Sequence, residues 1–248
     1  EFYAHDMGFY REVLAVTKDA VRGRMDIYAG ANNITTRGAV EIAKAVEQVG
    51  GIDALSVLTP MFVSQTQYEV SEYYREIASE TNLPIIIYNN RPKTNVTVEP
   101  ATVAKLAEID NIIGVKDSTG DMTNTEEYLR LTRGMDNFHV MMGRDTLIYA
   151  ALCYGASGAI ASCANVAPKI AVEIYEKFRA GDAAGALDAQ FRFSALRIAT
   201  NMGTFPVVLK EALKLIGHDC GDCVKPIQPL NDEQRVRLKK VLVDMGLL

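Results

Sequence analysis

Two side chains that could carry chemistry stand at the ends of apolar runs. Lys116 closes the run Ile112–Val115, and Tyr88 closes the run Ile85–Ile87. A lysine that attacks a carbonyl must be a neutral amine, and a dry, apolar surrounding favours that form. The iminium that results makes the adjacent carbon acidic, so a nearby tyrosine can serve as the general acid–base group. The pattern is compatible with imine chemistry, although position alone is more typical of a solvated lysine and a packed tyrosine.

The elements that must position these residues repeat along the chain. Six short apolar runs recur about every 20 to 30 residues, close to the length of a βα unit, and amphipathic helical patterns lie between them. The runs do not alternate polar and apolar residues, which indicates parallel strands covered by helices. The predicted strands are Met25–Ala29, Ala54–Leu58, Ile85–Tyr88, Ile112–Lys116, His139–Met142 and Gly158–Ala161. Consecutive βα units predict a doubly wound sheet or a (β/α)8 barrel.

From Pro168 onward the sequence predicts helices only. Asn231 and Gln234 form an N-terminal capping pattern before the last of them. The predicted helices are Lys169–Arg179, Ala183–Asn201, Phe205–Ile216 and Asp232–Met245.

Composition narrows the class of protein. The chain has 248 residues and a net charge of −5, which argues against a nucleic-acid partner and suits an enzyme of small molecules. Apolar stretches are too short for a membrane span, and no signal-peptide pattern is present. Four cysteines are few for a disulfide scaffold, so we expect a cytoplasmic protein.

Other motifs give weaker signals. Cys220 and Cys223 form a lone CxxC, and His218 alone cannot supply the second pair of ligands that a zinc site needs, so we expect a reduced loop and no metal. His5 and His139 have no nucleophile partner. No phosphate-binding or dinucleotide-binding glycine pattern is present, so we expect no cofactor.

The residues around Lys116 and Tyr88 resemble one known family. Gly114-Val115-Lys116-Asp117-Ser118-Thr119-Gly120 is similar to the Schiff-base lysine motif of the dihydrodipicolinate synthase/N-acetylneuraminate lyase family, and Ile87-Tyr88-Asn89 resembles its catalytic tyrosine motif. Further matches in chain order are Thr59-Pro60, Gly143-Arg144-Asp145, Gly155-Ala156-Ser157-Gly158-Ala159-Ile160 and Asn165. The resemblance covers nearly the whole chain.

The resemblance implies a (β/α)8 TIM barrel with a C-terminal helical extension, assembled as a homotetramer of tight dimers. It implies that Lys116 forms an imine with pyruvate and that Tyr88 relays protons. Ile160 would line the substrate site through its backbone, and Gly158 would give that backbone room.

For other residues of these motifs, the resemblance does not assign a single role. Gly143 and Asp145 follow a strand at the mouth of the site, where substrate binding and loop structure are both plausible roles. Lys93 stands where dihydrodipicolinate synthases carry an arginine that grips the second substrate's carboxylate, and it offers a point charge instead of a two-pronged clamp. Arg91 is placed to compensate. Phe62 stands where many members carry a tyrosine that reaches the neighbouring subunit's site, and it has no hydroxyl.

The family's Gly-Thr-Thr-Gly-Glu motif is matched here only by Glu1, which resembles its last residue. We therefore expect the first two barrel strands to be absent from this chain, which on that view cannot close a normal barrel. Residues 1–167 are expected to hold the barrel units from about the third strand to the eighth. Residues 168–248 are expected to hold the last barrel helix and the extension.

The leading functional prediction is a dihydrodipicolinate synthase-like lyase or synthase that acts on pyruvate, with an aldehyde as the partner substrate. A sugar-acid aldolase or dehydratase of the same family is the first alternative. The second is a non-catalytic 2-oxo-acid-binding protein, which Phe62 favours and the presence of both Lys116 and Tyr88 disfavours. A hydrolase lacks any nucleophile elbow here.

Overall fold

The computed structural model describes residues 1 to 248 and contains one parallel sheet. Its six strands pair in chain order, so β1 and β6 form the two edges. A doubly wound sheet would reverse its strand order part-way, so the sequential order rules that alternative out. The strands are β1 (Tyr28–Gly30), β2 (Ala54–Leu58), β3 (Ile85–Asn89), β4 (Ile112–Asp117), β5 (His139–Met142) and β6 (Gly158–Ala159).

Helices follow each strand, as the amphipathic patterns predict. Short 3-10 turns at Phe2–Ala4, Asp145–Leu147, Ser162–Asn165 and Thr200–Met202 complete the chain. The helices are α1 (Met7–Val21), α2 (Thr36–Val49), α3 (Gln67–Ser79), α4 (Arg91–Thr94), α5 (Pro100–Leu106), α6 (Met122–Leu131), α7 (Ile148–Cys153), α8 (Pro168–Arg179), α9 (Ala183–Ala199), α10 (Val207–Leu215) and α11 (Asp232–Asp244). None of them is both long and apolar enough to cross a membrane.

The first strand differs from the sequence prediction at both ends, and the last strand differs at its carboxyl end. The first strand is Tyr28–Gly30 instead of Met25–Ala29, and before it the Ile27 N–H donates to the Asp53 carboxylate at 2.8 Å. The last strand ends at Ala159. The Ile160 N–H still donates to the Met142 carbonyl at 2.9 Å, after which the chain turns into a 3-10 helix.

The two faces of the sheet have different roles. Because side chains alternate along a strand, neighbours in register share a face. One register row packs into the hydrophobic core with the helices and consists of Val57, Ile87, Val115 and Val140. The next row points to the opposite face and consists of Leu58, Tyr88, Lys116 and Met141. The fold therefore separates the residues that hold the sheet from those that could meet a ligand.

The C-terminal helices pack on the end of the sheet. A second core cluster joins Met142 of β5 to apolar residues of α8 to α11, such as Ile174, Phe193 and Leu238. The capping box before α11 is present, with hydrogen bonds of 2.8 and 2.9 Å between Asn231 and Gln234. All four predicted helices form, and α10 starts two residues later than predicted because Pro206 takes the N-cap position.

Candidate active site

Lys116 and Tyr88 lie side by side at the carboxyl edge of the sheet. They are in register on β4 and β3, and the lysine Nζ is 4.0 Å from the centroid of the tyrosine ring. Both side chains are half-buried. The carboxyl edge of a parallel sheet is where α/β enzymes assemble their sites. The aromatic face holds the lysine nitrogen in place and leaves it accessible to a small ligand.

The Tyr88 hydroxyl has a fixed partner. Its oxygen accepts a hydrogen bond of 2.8 Å from Nδ2 of Asn90. The NH2 group of Asn90 is a donor and cannot accept a hydrogen bond. The proton of the Tyr88 hydroxyl is therefore free to be donated to a ligand. This arrangement suits a group that passes a proton between the bound ligand and its surroundings.

Gly143 makes room for the lysine. Its N–H donates to the Asp117 carbonyl at 2.7 Å, so the end of β5 lies directly beside the end of β4. A Cβ at this position would overlap Oγ of Ser118 and lie 3.0 Å from Cε of Lys116. Glycine at position 143 is therefore needed for the Lys116 side chain to keep its position.

Substitution Gly143→Ala is accordingly expected to displace Lys116 and Ser118. Overpacking of this kind costs about 1–3 kcal/mol of the free energy of unfolding. A near-attack geometry displaced by about 1 Å lowers turnover by about 10²-fold. Steady-state kinetics and urea denaturation of the variant test this. Gly158→Ala, where an added Cβ meets no atom within 4 Å, is the control for stability and should leave the free energy of unfolding nearly unchanged. Unchanged kinetics in Gly143→Ala would contradict the claim that a side chain at position 143 displaces Lys116.

A buried polar network fixes the strand ends from behind the site. Asp117 follows Lys116 and faces the helices, and it is fully buried. Its carboxylate accepts from the Thr119 N–H at 3.0 Å, from the Thr125 hydroxyl at 2.7 Å and from the Asn124 amide at 3.2 Å. These bonds fix the turn after β4 and the start of α6.

Asn89, which follows Tyr88, plays the equivalent part on β3. Its amide donates to the Tyr128 hydroxyl at 2.8 Å, and its oxygen accepts from the Val98 N–H at 3.2 Å. Burial raises the pKa of Tyr128 well above its usual value, and the nearby Asp117 charge raises it further, so the phenol stays a donor. Asn89 and Asp117 stood in the sequence motifs without a role. The signal that identifies them is a polar residue that follows the chemically active one in an apolar strand.

The substitution Asp117→Asn tests this network. It keeps the side chain's shape but turns one acceptor oxygen into a donor, so at least one buried N–H or O–H loses its partner. We expect a loss of about 1–3 kcal/mol in the free energy of unfolding, measured by urea denaturation. Asp136→Asn, at an exposed aspartate, is the matched control and should change stability by less than about 0.5 kcal/mol. Equal stability of the two variants would contradict a structural role for Asp117.

Comparison with known proteins identifies the family. The model of the dihydrodipicolinate synthetase family matches residues 3–245. The chain belongs to this family. It is similar to the 4-hydroxy-tetrahydrodipicolinate synthase of Archaeoglobus fulgidus, with 32% identity over 99% of this chain and 84% of the relative. Named relatives of this kind are enzymes of the lyase class, and this chain is an enzyme of that family.

Solved structures agree with the sequence comparison. The chloride-inhibited dihydrodipicolinate synthase from Acinetobacter baumannii, complexed with pyruvate, has a TM-score of 0.94 and 30% identity over 100% of this chain and 84% of that one. YagE from E. coli K12, a prophage protein of the dihydrodipicolinic acid synthase family in complex with pyruvate, also has a TM-score of 0.94, with 25% identity and the same coverage. The parallel sheet of this chain is thus the fold of the dihydrodipicolinate synthetase family.

Asp145 of the Gly143-Arg144-Asp145 motif does not present a free carboxylate. It is buried, and its oxygens accept from the Cys163 N–H at 2.7 Å and from the Ser162 hydroxyl at 3.2 Å. Nε of Arg197 on α9 lies 3.6 Å away. The protein's own donors thus engage this carboxylate, which favours the role in loop structure, and the contact with substrate stays a prediction. Asp145 ties the end of β5 to the turn after β6.

Gly158 and Ile160 lie on the neighbouring strand region. Gly158 is in register with Met141, in the row that contains Lys116, and a Cβ added there would meet no atom within 4 Å. The protein's own packing does not require this glycine, and the expectation that it leaves room at the substrate site stays a prediction. The space remains open on the face of Lys116. The N–H of Ile160 is committed to Met142, so only its carbonyl could serve a ligand.

Lys93 and Phe62 lie outside the pair formed by Lys116 and Tyr88. Lys93 is exposed on α4, where it lines an open polar cavity together with Arg91. Phe62 is 89% exposed and has a left-handed backbone with φ of 80°, which is unusual for a bulky residue. Its ring stands away from this chain's own core. Cys220 and Cys223 are free thiols in an exposed loop.

Proposed function

We propose that Lys116 forms a Schiff base with pyruvate and that the protein then makes or breaks a carbon–carbon bond to an aldehyde. The observation that supports this most strongly is the lysine nitrogen held 4.0 Å above the ring of Tyr88 at the carboxyl edge of the sheet. Pyruvate is the first substrate because relatives of 25–30% identity are described in complex with it. No cofactor is needed, since the iminium itself withdraws electrons.

The proposed reaction uses only pyruvate, an aldehyde, water and the side chains of Lys116 and Tyr88. The neutral amine of Lys116 attacks the ketone carbon of pyruvate, and the carbinolamine loses water to give the iminium. The methyl carbon then gives a proton to the Tyr88 oxygen and becomes an enamine carbon. The enamine carbon attacks the aldehyde carbonyl, and Tyr88 returns the proton to the aldehyde oxygen. Water finally hydrolyses the imine and returns the lysine amine. In the lyase direction the same steps run in reverse.

Tyr88 is proposed as the proton carrier of these steps. Its hydroxyl can donate to the carbinolamine oxygen as water leaves and recover the proton when the imine hydrolyses. The hydrogen bond from Asn90 orients the phenol for both transfers.

The remaining site residues are proposed in supporting roles. The Ile160 carbonyl and the open space at Gly158 line the pyruvate pocket, and Gly143 leaves room for the lysine. Lys93 holds an acidic group of the second substrate. Asp145 acts by positioning the turn beneath β6.

The identity of the second substrate separates two candidate functions. The first is a synthase reaction of the kind for which the relatives are named, with an aldehyde as the second substrate. A sugar-acid aldolase or dehydratase is the second, and it is favoured by the cavity beside Lys93, which no hydrophobic residue lines. A panel of aldehydes and sugar acids offered with pyruvate, and followed by pyruvate consumption or release, distinguishes them. Absence of turnover with every compound would contradict both.

The finer architecture is also a proposal. We propose that the six strands correspond to the third to eighth strands of a (β/α)8 barrel, which the sequential strand order and the two unpaired edges support. Residues 1–167 would then be barrel units, and residues 168–248 the last barrel helix and the extension. The second core cluster, from Met142 to Met245, joins the two regions into one packed unit.

A homotetramer and a cytoplasmic location complete the proposal. The exposed ring of Phe62 supports contact between subunits, because a large aromatic side chain held out by a left-handed backbone gains from burial by a partner. Sedimentation of the protein at several concentrations tests the assembly. Four free thiols are consistent with a reducing compartment.

A further inference from the structure

Met141 stands on the opposite side of Lys116 from Tyr88. Lys116 is in register with Tyr88 on β3 and with Met141 on β5. Neighbouring strands lie about 4.8 Å apart, and residues in register point to the same face of the sheet. The reacting lysine therefore has an aromatic ring on one flank and a thioether side chain on the other.

The Met141 side chain does not take part in either hydrophobic core. It is half-buried, and it packs neither into the core on the helix side of the sheet nor into the second core cluster. The next residue, Met142, is 1% exposed and belongs to the second cluster, so the two methionines lie on opposite faces of β5. Because ligand sites are lined mainly by apolar side chains, Met141 is placed to contact a ligand of Lys116.

Unfilled space lies beyond Met141 on the next strand. Gly158 on β6 is in register with Met141, and a Cβ added to Gly158 would meet no atom within 4 Å. No atom of the Met141 side chain therefore reaches that position. Met141 thus separates the lysine from open space on the same face of the sheet.

The proposed reaction directs any additional carbon of the 2-oxo acid toward Met141. The methyl carbon of pyruvate must stay close to the Tyr88 oxygen, which takes its proton. A longer 2-oxo acid carries its next carbon on this same atom. The ring of Tyr88 occupies one flank of the lysine, so the additional carbon has to extend to the other flank, where Met141 lies.

We propose that Met141 determines the size of the 2-oxo acid: its side chain accommodates the methyl group of pyruvate and excludes acids with a longer carbon chain, such as 2-oxobutanoate. This inference rests on the proposed function, because it concerns the acid that binds to Lys116. A pocket without room for one methylene discriminates by about 10- to 200-fold. Because the methionine side chain is flexible and adapts its shape, we expect a value near the lower end of that range.

Borohydride trapping with two acids tests this role. The rate of adduct formation on Lys116 is measured by mass spectrometry with pyruvate and with 2-oxobutanoate, and the ratio of the two rates is compared between proteins. The unsubstituted protein should prefer pyruvate by about 10-fold or more, and Met141→Ala should lower that preference to about 2-fold or less, because the longer chain can enter the space beside Gly158. Met25→Ala, at an exposed methionine before β1, should keep the full preference.

Two further variants separate side-chain size from stability. Met141→Val shortens the side chain less than alanine does and should lower the preference by an intermediate amount. Met141→Ala combined with Gly158→Ala should recover part of the preference, because the added methyl group occupies the space that the longer acid would use. A loss of stability would not produce such a recovery.

The same experiment distinguishes this inference from the proposed function. If pyruvate forms no adduct on Lys116, the proposed function is contradicted and the role of Met141 with it. If pyruvate reacts, equal rates for the two acids in the unsubstituted protein, or an unchanged preference in Met141→Ala, overturn the role of Met141 alone.

Discussion

Replacement of Lys116 by alanine is expected to abolish imine formation and to lower turnover by at least about 10⁴-fold. The amine is the atom that bonds to the substrate, and no neighbouring group in the register row can replace it. Tyr88 and Met141 flank the lysine in that row, and neither is an amine. Steady-state kinetics with pyruvate and a working aldehyde, together with borohydride trapping, measure both effects.

Two further variants separate chemistry from folding. Lys116→Arg keeps a positive charge over the ring of Tyr88 but lacks a nucleophilic amine. It should therefore be as inactive as Lys116→Ala, with the same stability as the unsubstituted protein. Lys105→Ala, on the exposed side of α5, should retain full activity. Substantial turnover by Lys116→Arg would show that charge, and not covalent bonding, is what the position supplies.

Replacement of Tyr88 by phenylalanine is expected to slow turnover by about 10²- to 10⁴-fold, the usual contribution of a general acid–base group. The ring remains beneath Lys116, so the position of the amine should survive. The imine with pyruvate should still form, but slowly, because the carbinolamine loses water without an oriented proton donor. Stopped-flow or quenched trapping resolves the rate of imine formation from the rate of turnover.

Asn90 offers a finer test of the same hydroxyl. Asn90→Ala removes the 2.8 Å hydrogen bond and leaves the phenol in place, so its effect should be smaller than that of Tyr88→Phe. Tyr175→Phe, which removes a hydroxyl from a partly exposed tyrosine of α8, should have no effect on either rate. Equal activity of Tyr88→Phe and the unsubstituted protein would remove Tyr88 from the mechanism.

The sequence was sufficient to predict the sheet and the proximity of Lys116 and Tyr88. Continuous apolar runs such as Ile85–Ile87 mark strands that are buried on the helix side, and the rule that parallel strands end at one edge brings Tyr88 and Lys116 together. Strand ends were less predictable. The Ile27 N–H, for example, donates to the Asp53 carboxylate, a side-chain partner that apolar patterning does not reveal.

Contacts between distant residues account for what the sequence could not predict. A strand followed by Gly143-Arg144-Asp145 has the same pattern whether the carboxylate faces a ligand or the protein. The partners of the Asp145 carboxylate are the Cys163 N–H and the Arg197 guanidinium, and both lie far along the chain. The need for glycine at position 143 likewise arises from the course of Lys116 on the neighbouring strand.

The central claim is a covalent bond between pyruvate and Lys116. The most direct measurement is incubation of the protein with pyruvate and borohydride, followed by peptide mapping with mass spectrometry. The account predicts one reduced adduct, located on Lys116, which forms with pyruvate and not with lactate, because lactate has no ketone. An unmodified Lys116 peptide after complete reaction, or an adduct spread over exposed lysines such as Lys105 with none on Lys116, would contradict it.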